Sequence, residues 1–328
     1  MAALILAGDV GGTKTLLSLF EVTASGLKFV RERRYATAMF KSLEEVCGDF
    51  CDGTYEIDAA CFGVPGPVID GYAQASNLPW RMSQQSLADA LRCGRVKLIN
   101  DLCATALGVR HLGPGEYELL NAPAAPVKDG NIAVIAAGTG LGEAGLIFEE
   151  GEYYAIASEG GHSSFAPHGD EQIDLLCFLE HEFGHVSWER VVSGPGLVNV
   201  YRFLRSRARE QEPQWLRERM SAGDPAAAIS TAAIDGRDPV CGRALSMFCA
   251  MYGSEAGNLA LKLLARGGVF VCGGIAPKIL PMLKGGEFMR GFTDKGRLSA
   301  ILAGIEVRVS LNTDVARLGA ARRAAAML

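Results

Sequence analysis

Apolar positions follow a similar order in two stretches of the chain, and in both stretches they predict β-strands. The predicted strands cover Leu4–Ala7, Leu16–Val22, Lys28–Tyr35 in the first stretch and Asn131–Ala137, Ala144–Glu149, Tyr153–Ile156 in the second. A Gly-Thr segment follows the first strand of each set. The pattern therefore predicts a structural repeat, in which two related α/β domains each open with a three-strand meander and face a cleft.

Other elements of both halves are also predicted by the pattern. Further buried strands are expected over Ile57–Val64, Val96–Asn100, Gly268–Cys272 and Glu306–Ser310. A helical pattern dominates from Glu171 to Arg266 and returns at residues 315–327, and Ser42-Leu-Glu-Glu45 is a capping box that begins a helix. Residues 111–131, rich in Pro, Gly and Ala, indicate a connection.

Composition narrows the class of protein. The 328 residues are 49% hydrophobic and 21% charged, which indicates a globular chain of about two domains. The net charge is −5 and no long basic block exists, so we expect no nucleic-acid partner. No apolar run approaches the ~18 residues of a membrane span. The apolar N-terminus lacks a basic segment and predicts a buried strand rather than a signal peptide.

The nine cysteines form no C-x-x-C pair, and most have apolar neighbours. This pattern predicts buried free thiols in a reducing cytoplasm rather than a disulfide framework or a zinc ribbon.

Three glycine-rich loops stand at predicted strand ends: Gly8–Thr13, Gly138–Gly142 and Gly273–Gly274. Glycine lets backbone N–H groups close on an anion, and a Thr hydroxyl adds a donor, so the three together favour a phosphate ligand over plain turns. The first loop is not a P-loop, because Thr13 replaces its second Gly and a strand follows. Gly140–Gly145 matches G-x-G-x-x-G, but a hairpin pattern follows it and excludes a dinucleotide site.

Polar residues interrupt the apolar pattern at several strand ends. Asp101, which follows Asn100 at the end of a strand, is either a helix N-cap or an oriented base for phosphoryl transfer, and both roles can hold together. Glu159 and His162, separated by two glycines, can project towards a polyhydroxy ligand or form a surface turn. Ser193 is a predicted helix cap, and Asn77 is a turn former or another hydroxyl ligand.

The segment His181-Glu-Phe-Gly-His185 satisfies H-E-x-x-H, a zinc-hydrolase motif in which Glu182 would be the base. Gly184 weakens the helix that this motif needs, and the longer form of the motif fails at Trp188. We therefore favour a helix end with two chance histidines.

Taken together, the motifs resemble the bacterial glucokinase family of the proteobacterial type. The matching segments, in the family's order over residues 4 to about 311, are Asp9-Val-Gly-Gly-Thr13, Leu98-Ile-Asn-Asp101, Gly138-Thr-Gly-Leu-Gly142, Glu159-Gly-Gly-His162, Glu189-Arg-Val-Val-Ser-Gly-Pro-Gly196 and Val271-Cys-Gly-Gly-Ile275. The resemblance implies an α/β fold of the actin-like (ribonuclease H-like) two-domain ATPase type with an interdomain cleft. The expected domains are residues 1–110 plus 312–328, and residues 111–311.

The resemblance also implies an activity: transfer of the γ-phosphoryl group of MgATP to O6 of D-glucose. Asp101 would be the catalytic base. The expected glucose ligands are Asn77, Asn100, Asp101, Glu159, His162 and Glu189. The expected nucleotide and phosphate contacts are Asp9, Gly11, Gly12, Thr13, Gly138, Thr139, Gly140, Gly273 and Gly274, with Asp9 facing Mg²⁺ through water. Family members are cytoplasmic and commonly homodimeric.

Two departures and three alternatives accompany the resemblance. Lys14 stands where Asn is common, and residues 312–319 lack the usual Asn-Pro-Gly run. The alternatives are a kinase of mannose, fructose or glucosamine, a zinc hydrolase using His181, Glu182 and His185, and a non-catalytic sugar sensor. The cysteine-rich zinc cluster and N-terminal DNA-binding helices of the related repressors are missing from the sequence, which argues against a sugar-responsive repressor.

Overall fold

The computed structural model describes residues 2–74 and 78–328, and the chain forms two units. The first unit contains the chain up to Pro114 together with Ala155–Ala157 and Asn312–Leu328, and the second contains Gly115–Tyr154 and Ser158–Leu311. Among the described residues, no helix is both long and apolar enough to cross a membrane.

The strands and helices are numbered here in chain order. The strands are β1 (Ala3–Val10), β2 (Lys14–Thr23), β3 (Gly26–Ala36), β4 (Ala59–Val64), β5 (Val68–Ile69), β6 (Tyr72–Gln74), β7 (Arg81–Ser83), β8 (Val96–Asn100), β9 (Tyr117–Leu119), β10 (Ile132–Ala137), β11 (Leu141–Glu149), β12 (Glu152–Ser158), β13 (Gly268–Cys272) and β14 (Val307–Ser310). The α-helices are α1 (Leu43–Cys51), α2 (Gln84–Leu91), α3 (Asp101–Val109), α4 (Asp170–Phe183), α5 (Gly194–Arg207), α6 (Gln214–Ala222), α7 (Pro225–Ile234), α8 (Pro239–Leu263), α9 (Leu280–Leu283), α10 (Glu287–Thr293), α11 (Ser299–Ala303) and α12 (Val315–Ala325).

In the first unit, a five-stranded sheet has the order β3-β2-β1-β4-β8. The strands β1, β2 and β3 are antiparallel neighbours, whereas β4 and β8 run parallel to β1. Alternate side chains of β1 enter two different cores: Leu6 packs with Leu43 and Phe50 of α1, and Ile5 packs with the alanines of α12. This alternation follows from the two-residue period of a strand.

A second sheet, of six strands, repeats this topology in the order β12-β11-β10-β13-β14-β9. The strand β11 is antiparallel to β10, and β13 and β14 run parallel to β10. The core contains buried residues of β10 and β13 and of the helices α5, α7, α8 and α10. Both sheets therefore open as the sequence pattern predicts.

Several predicted boundaries need correction. The strand β1 continues through Gly8, Asp9 and Val10, since Asp9 pairs with Leu16 of β2 and with Gly63 of β4, so the first glycine loop contains only residues 11–13. The predicted connection at residues 111–131 contains β9, which pairs with β14. This strand is only three residues long and has no buried residue, so it leaves little periodic signal.

Candidate active site

The end of β1 in the first unit presents Asp9 and the turn formed by Gly11, Gly12 and Thr13. The Gly11 N–H donates to the Lys14 carbonyl over 2.9 Å, and Thr37 Oγ1 donates to the Gly11 carbonyl over 2.8 Å. The Thr37 N–H donates to the Thr13 carbonyl over 3.1 Å. These bonds fix the turn, which exposes Thr13.

Asp9 lies in a partly buried, mixed-charge environment. Burial raises the pKa of its carboxyl; the nearby Lys14 ammonium and Arg317 guanidinium lower it, while the Asp314 carboxylate raises it. Lys14 and residues 312–319 are the two places where the sequence departs from the family pattern. Charged groups from both places therefore affect the pKa of Asp9. Two carboxylates near each other suit a hard divalent cation such as Mg²⁺, which prefers oxygen ligands and relieves their repulsion.

At the end of β8, the structure gives Asn100 and Asp101 different tasks. Asn100 is the N-cap of α3: its Oδ1 accepts from the N–H groups of Leu102 at 2.9 Å and Cys103 at 3.2 Å. Its Nδ2 donates to the Gly66 carbonyl over 3.1 Å. The prediction that Asp101 is the N-cap is wrong by one residue, because Asp101 is the first residue of the helix itself. Its Oδ1 accepts from the Leu102 N–H at 2.8 Å.

This arrangement fixes the position of Asp101. It also limits the number of hydrogen bonds that Asn100 can form with a ligand. Asn100 is 7% exposed, and both lone pairs of its amide oxygen are engaged, so one amide hydrogen remains to meet a ligand. Asp101 is only partly buried at a helix N-terminus, where a carboxylate is stabilised by the helix dipole.

In the second unit, the loop after β10 contacts two other loops. The Gly138 N–H donates to the Gly140 carbonyl over 2.8 Å, and the Gly138 carbonyl accepts from the Gly194 N–H over 2.8 Å. The Ile275 N–H reaches the Ala137 carbonyl at 3.4 Å. The loop at 138–140, the start of α5 and the Gly273–Gly274 turn are therefore adjacent.

The predicted sugar ligands of this unit meet at Leu141, the first residue of β11. The Leu141 N–H donates to Glu189 Oε2 over 3.0 Å. Gly161, in the turn that carries Glu159 and His162, packs so closely on the Leu141 carbonyl that a Cβ would overlap it. His162 Nε2 lies 4.0 Å from Glu159 Oε2, and both side chains are exposed. The turn that carries Glu159 and His162 and the carboxylate of Glu189 therefore both lie against Leu141.

Hydrogen bonds join the two turns that carry these side chains. The Trp188 N–H donates to the Ser163 carbonyl over 3.0 Å, and Ser164 forms a β-bridge with Ser187. Ser193 is the N-cap of α5, as predicted: its Oγ accepts from the Gly196 N–H over 2.9 Å and donates to the Glu189 carbonyl over 2.7 Å. The backbone of Glu189 is therefore fixed from both sides.

A cavity of about 810 Å³ lies beside the Gly138–Thr139 loop. The N-termini of α5 and α7 line it, so two helix dipoles present their positive ends to its contents. Most of its lining is apolar, with Lys278, Asp224 and Ser230 among the polar exceptions. A volume of this size fits a nucleoside.

Most of the residues that line this cavity were not predicted from the sequence. Gly138, Thr139 and Gly274 were predicted, but Leu197, Val198, residues 224–227, Ser230 and Lys278 were not. The Asp224-Pro225 helix start was the available signal, because Asp224 caps α7. Asn77, the remaining predicted sugar ligand, lies outside the described residues.

The H-E-x-x-H segment does not form a zinc site. The helix α4 ends at Phe183 and Gly184 has φ +70°, so His181 and His185 do not share a helical face. Glu182 pairs with Arg202, and His181 Nδ1 contacts the Cys177 carbonyl at 2.6 Å. No group of three or more metal-binding side chains occurs in residues 2–74 and 78–328.

Comparison with solved structures defines the class. A glucokinase from an Antarctic psychrotroph has a TM-score of 0.86 at 30% identity and covers 99% of this chain and 100% of its own. A glucokinase from Balamuthia mandrillaris, solved in complex with glucose, shares the fold with a TM-score of 0.82 at 23% identity, over 99% of this chain and 94% of that one. The protein is an α/β sugar kinase of the actin-like ATPase fold.

Comparison of sequences defines the family. Residues 6–327 match the sequence profile described as Glucokinase. The chain is 42% identical to the glucokinase of Synechocystis sp. over 348 aligned positions, which cover 98% of each protein. The chain belongs to the glucokinase family, the ATP-dependent hexose kinases that phosphorylate glucose.

Proposed function

We propose that the two groups of residues described above carry out glucose phosphorylation in the following roles. The observation that carries the proposal is that the Glu189 carboxylate and the turn that carries Glu159 and His162 both contact Leu141, directly after the Gly138–Gly140 loop. In this arrangement, a sugar subsite and a phosphate-binding loop are neighbours in one unit.

The nucleotide side consists of the loops and the cavity. Adenosine occupies the cavity between α5 and α7, against Gly274. The phosphates lie on the backbone N–H groups of Thr139 and Gly140, where glycine allows close approach. In the first unit, Gly12 and Thr13 are the proposed phosphate donors, since the Gly11 N–H already donates to the Lys14 carbonyl. The positive ends of the two helices favour the phosphates at the edge of the cavity, where Gly138 and Thr139 line it.

The sugar side uses acceptors and donors suited to hydroxyl groups. The carboxylates of Glu159 and Glu189 accept hydrogen bonds from hydroxyl groups, and the His162 imidazole both donates and accepts hydrogen bonds. The Leu141 N–H fixes one oxygen of Glu189, which orients the other. Asn100 contributes at most its remaining amide hydrogen, and Asn77 stays a prediction.

Asp101 acts as the general base. The bond between the γ-phosphorus and its bridging oxygen breaks, and ADP takes the electron pair. O6 of glucose forms the new bond to phosphorus, and its proton passes to the Asp101 carboxylate. The Leu102 N–H holds Oδ1 of Asp101, so the helix start orients the base before substrate binds.

Asp9 would hold Mg²⁺ through water, and Asp314 would add negative charge beside it. When bound, the ion would supply positive charge that neutralises the transferring phosphoryl group. As the family resemblance implies, we also propose a cytoplasmic homodimer.

The experiment measures ADP release from MgATP with glucose, mannose, fructose, glucosamine or no sugar. We expect release with glucose and little without sugar. Asp101→Asn should lower kcat by at least about 100-fold, the usual scale for a lost general base, while glucose still binds. The variant keeps the helix start, because an Asn side chain can accept from the Leu102 N–H.

Asp89→Asn is the matched control, since Asp89 is an exposed residue of α2 that contacts Gln85. It should turn over at the wild-type rate. Near-wild-type turnover in Asp101→Asn contradicts the role of the base. A folded protein that releases no ADP with any sugar, and binds no glucose, contradicts the whole site.

A further inference from the structure

Two buried glutamates of the second unit take no part in the proposed chemistry. Glu143 on β11 is 1% exposed, and Glu255 on α8 is fully buried. Glu255 lies close enough to raise the pKa of the Glu143 carboxyl, although burial contributes more to that rise. Two carboxylates this close in a buried site cannot both be ionised at low cost, so the pair holds a proton.

The partners of the two groups indicate which one carries the proton. Glu255 Oε1 accepts from Lys262 Nζ at 3.2 Å, and its Oε2 accepts from Asn258 Nδ2 at 2.8 Å. No cation contacts Glu143, and its buried Oε1 has no hydrogen-bond partner within residues 2–74 and 78–328. Glu143, which has no such partners, is therefore the group that carries the proton.

Glu143 also supports the turn that carries Glu159 and His162. A Cβ at Gly160 would overlap Glu143 Oε2, just as one at Gly161 would overlap the Leu141 carbonyl. The Glu-Gly-Gly-His sequence thus needs both glycines because the turn rests directly on β11. Gly160 of the turn contacts the Glu143 carboxyl, and Gly161 contacts the backbone of the strand.

We propose that Glu143 is a positioning residue: as a neutral acid beside Glu255, it holds the Gly160–His162 turn in the conformation that binds glucose. The proposal rests on the sugar-binding role assigned above to Glu159 and His162. Ionisation of Glu143 places a second charge beside Glu255 with no new partner. The two carboxyls then separate, and the turn in contact with Glu143 moves with them.

The charged neighbours set the pH range of this effect. Burial first, and the Glu255 charge second, raise the pKa of Glu143 to about 8, while Lys262 lowers it. Burial lowers the pKa of Lys295, which follows α10, while the Glu255 charge raises it. Burial, and to a smaller extent the Glu143 charge, raises the pKa of Tyr252 on α8. The neighbouring strand β10 contains only Ile, Ala and Val. Glucose affinity should therefore fall as pH rises through about 8.

The test measures the Kd of glucose calorimetrically, without nucleotide, from pH 6.5 to 9.5. If glucose binds only when Glu143 is protonated, the wild-type Kd should rise about tenfold between pH 7 and pH 9. Glu143→Gln keeps the shape and a hydrogen-bond donor but cannot ionise, so its Kd should stay flat and match the wild-type value at pH 7. Glu180→Gln, at an exposed position of α4, should keep the wild-type profile.

Glu255→Gln provides an independent readout, which stands even if Glu143→Gln does not fold. Removing the neighbouring charge lowers the pKa of Glu143, so the rise in Kd should begin at lower pH. The proposal is overturned if Glu143→Gln keeps the wild-type rise, if Glu255→Gln leaves it unshifted, or if the wild-type Kd is flat although glucose binds. A wild-type protein that binds no glucose at any pH contradicts the proposed sugar site itself.

Discussion

At the scale of single residues, Asn100 shows how one side chain can serve the fold more than the ligand. Its amide oxygen caps α3 through two N–H groups, and its amide nitrogen bonds Gly66. The catalytic candidate Asp101 is the next residue, so the cap decides where the carboxylate lies. We therefore expect Asn100 to affect the reaction mainly by fixing the start of the helix.

Exchanges at this cap should separate its structural role from sugar binding. Asn100→Ala removes the cap and should lower the free energy of unfolding by about 1–2 kcal/mol. Asn100→Ser keeps a capping oxygen and should lose less. Urea denaturation measures both free energies, and the KM for glucose is measured alongside. Equal rises in KM without loss of stability in either variant would identify Asn100 as a sugar ligand instead.

The same position shows the limit of prediction from sequence. Polar residues after an apolar strand predicted a site at residues 100 and 101, and this pair does stand at the end of β8. The start of the helix decides which of the two side chains accepts hydrogen bonds as the N-cap. The sequence predicts that start only to within about one residue. Glu143 was not predicted as a buried residue. It follows a glycine-rich segment, and a glutamate in such a segment is typical of an exposed turn.

At the scale of elements, the packing of α12 on α3 supports the helix that begins with Asp101, the proposed base. The two helices approach so closely that a Cβ at Gly319 would overlap the Ala104 carbonyl, and one at Gly108 would overlap the Val315 carbonyl. Only glycine permits this backbone contact. The terminal helix was predicted from its Ala/Arg pattern, but its partner lies more than 200 residues away, and periodicity carries no information on that pairing.

Adding one methyl group at this contact should be costly. Gly319→Ala forces the new Cβ against backbone atoms that cannot rotate away, so the free energy of unfolding should fall by about 1–3 kcal/mol. Gly48→Ala in α1 is the matched control, because nothing lies within 4 Å of its added Cβ. It should be neutral or stabilise by up to about 1 kcal/mol, through a less flexible unfolded chain. Thermal unfolding of both variants measures the two changes in stability. A Gly319→Ala variant as stable as Gly48→Ala would contradict the close contact.

At the scale of the whole molecule, the repeated sheet topology was the most predictable feature. Two meanders followed by parallel strands give sheet orders that correspond strand by strand, from β3-β2-β1-β4-β8 to β12-β11-β10-β13-β14. Alternation within each strand is a local signal, so it survives in the sequence of both halves. The cavity between α5 and α7 was not predictable, since it depends on how helices distant in sequence pack.

The distribution of thiols over the molecule gives a prediction for the intact chain. All nine cysteines are free, and Cys177 on α4 is the exposed one, whereas the other eight are buried in the cores. Burial raises the pKa of Cys61, Cys249 and Cys272 to about 12, so these thiols are both inaccessible and protonated near neutral pH. The thiolate is the reacting form, and buried thiols are therefore doubly protected.

Titration with a thiol-specific disulfide reagent should consequently give about one fast equivalent in the native protein and nine in denaturant. Cys177→Ser should remove the fast equivalent and leave the slow reaction unchanged, since the remaining thiols react only when the cores open. Two or more fast equivalents in the native protein, or a fast equivalent that persists in Cys177→Ser, would mean that at least one core opens readily. The rate of the slow reaction then reports that opening, because each buried thiol must reach solvent before it can ionise and react.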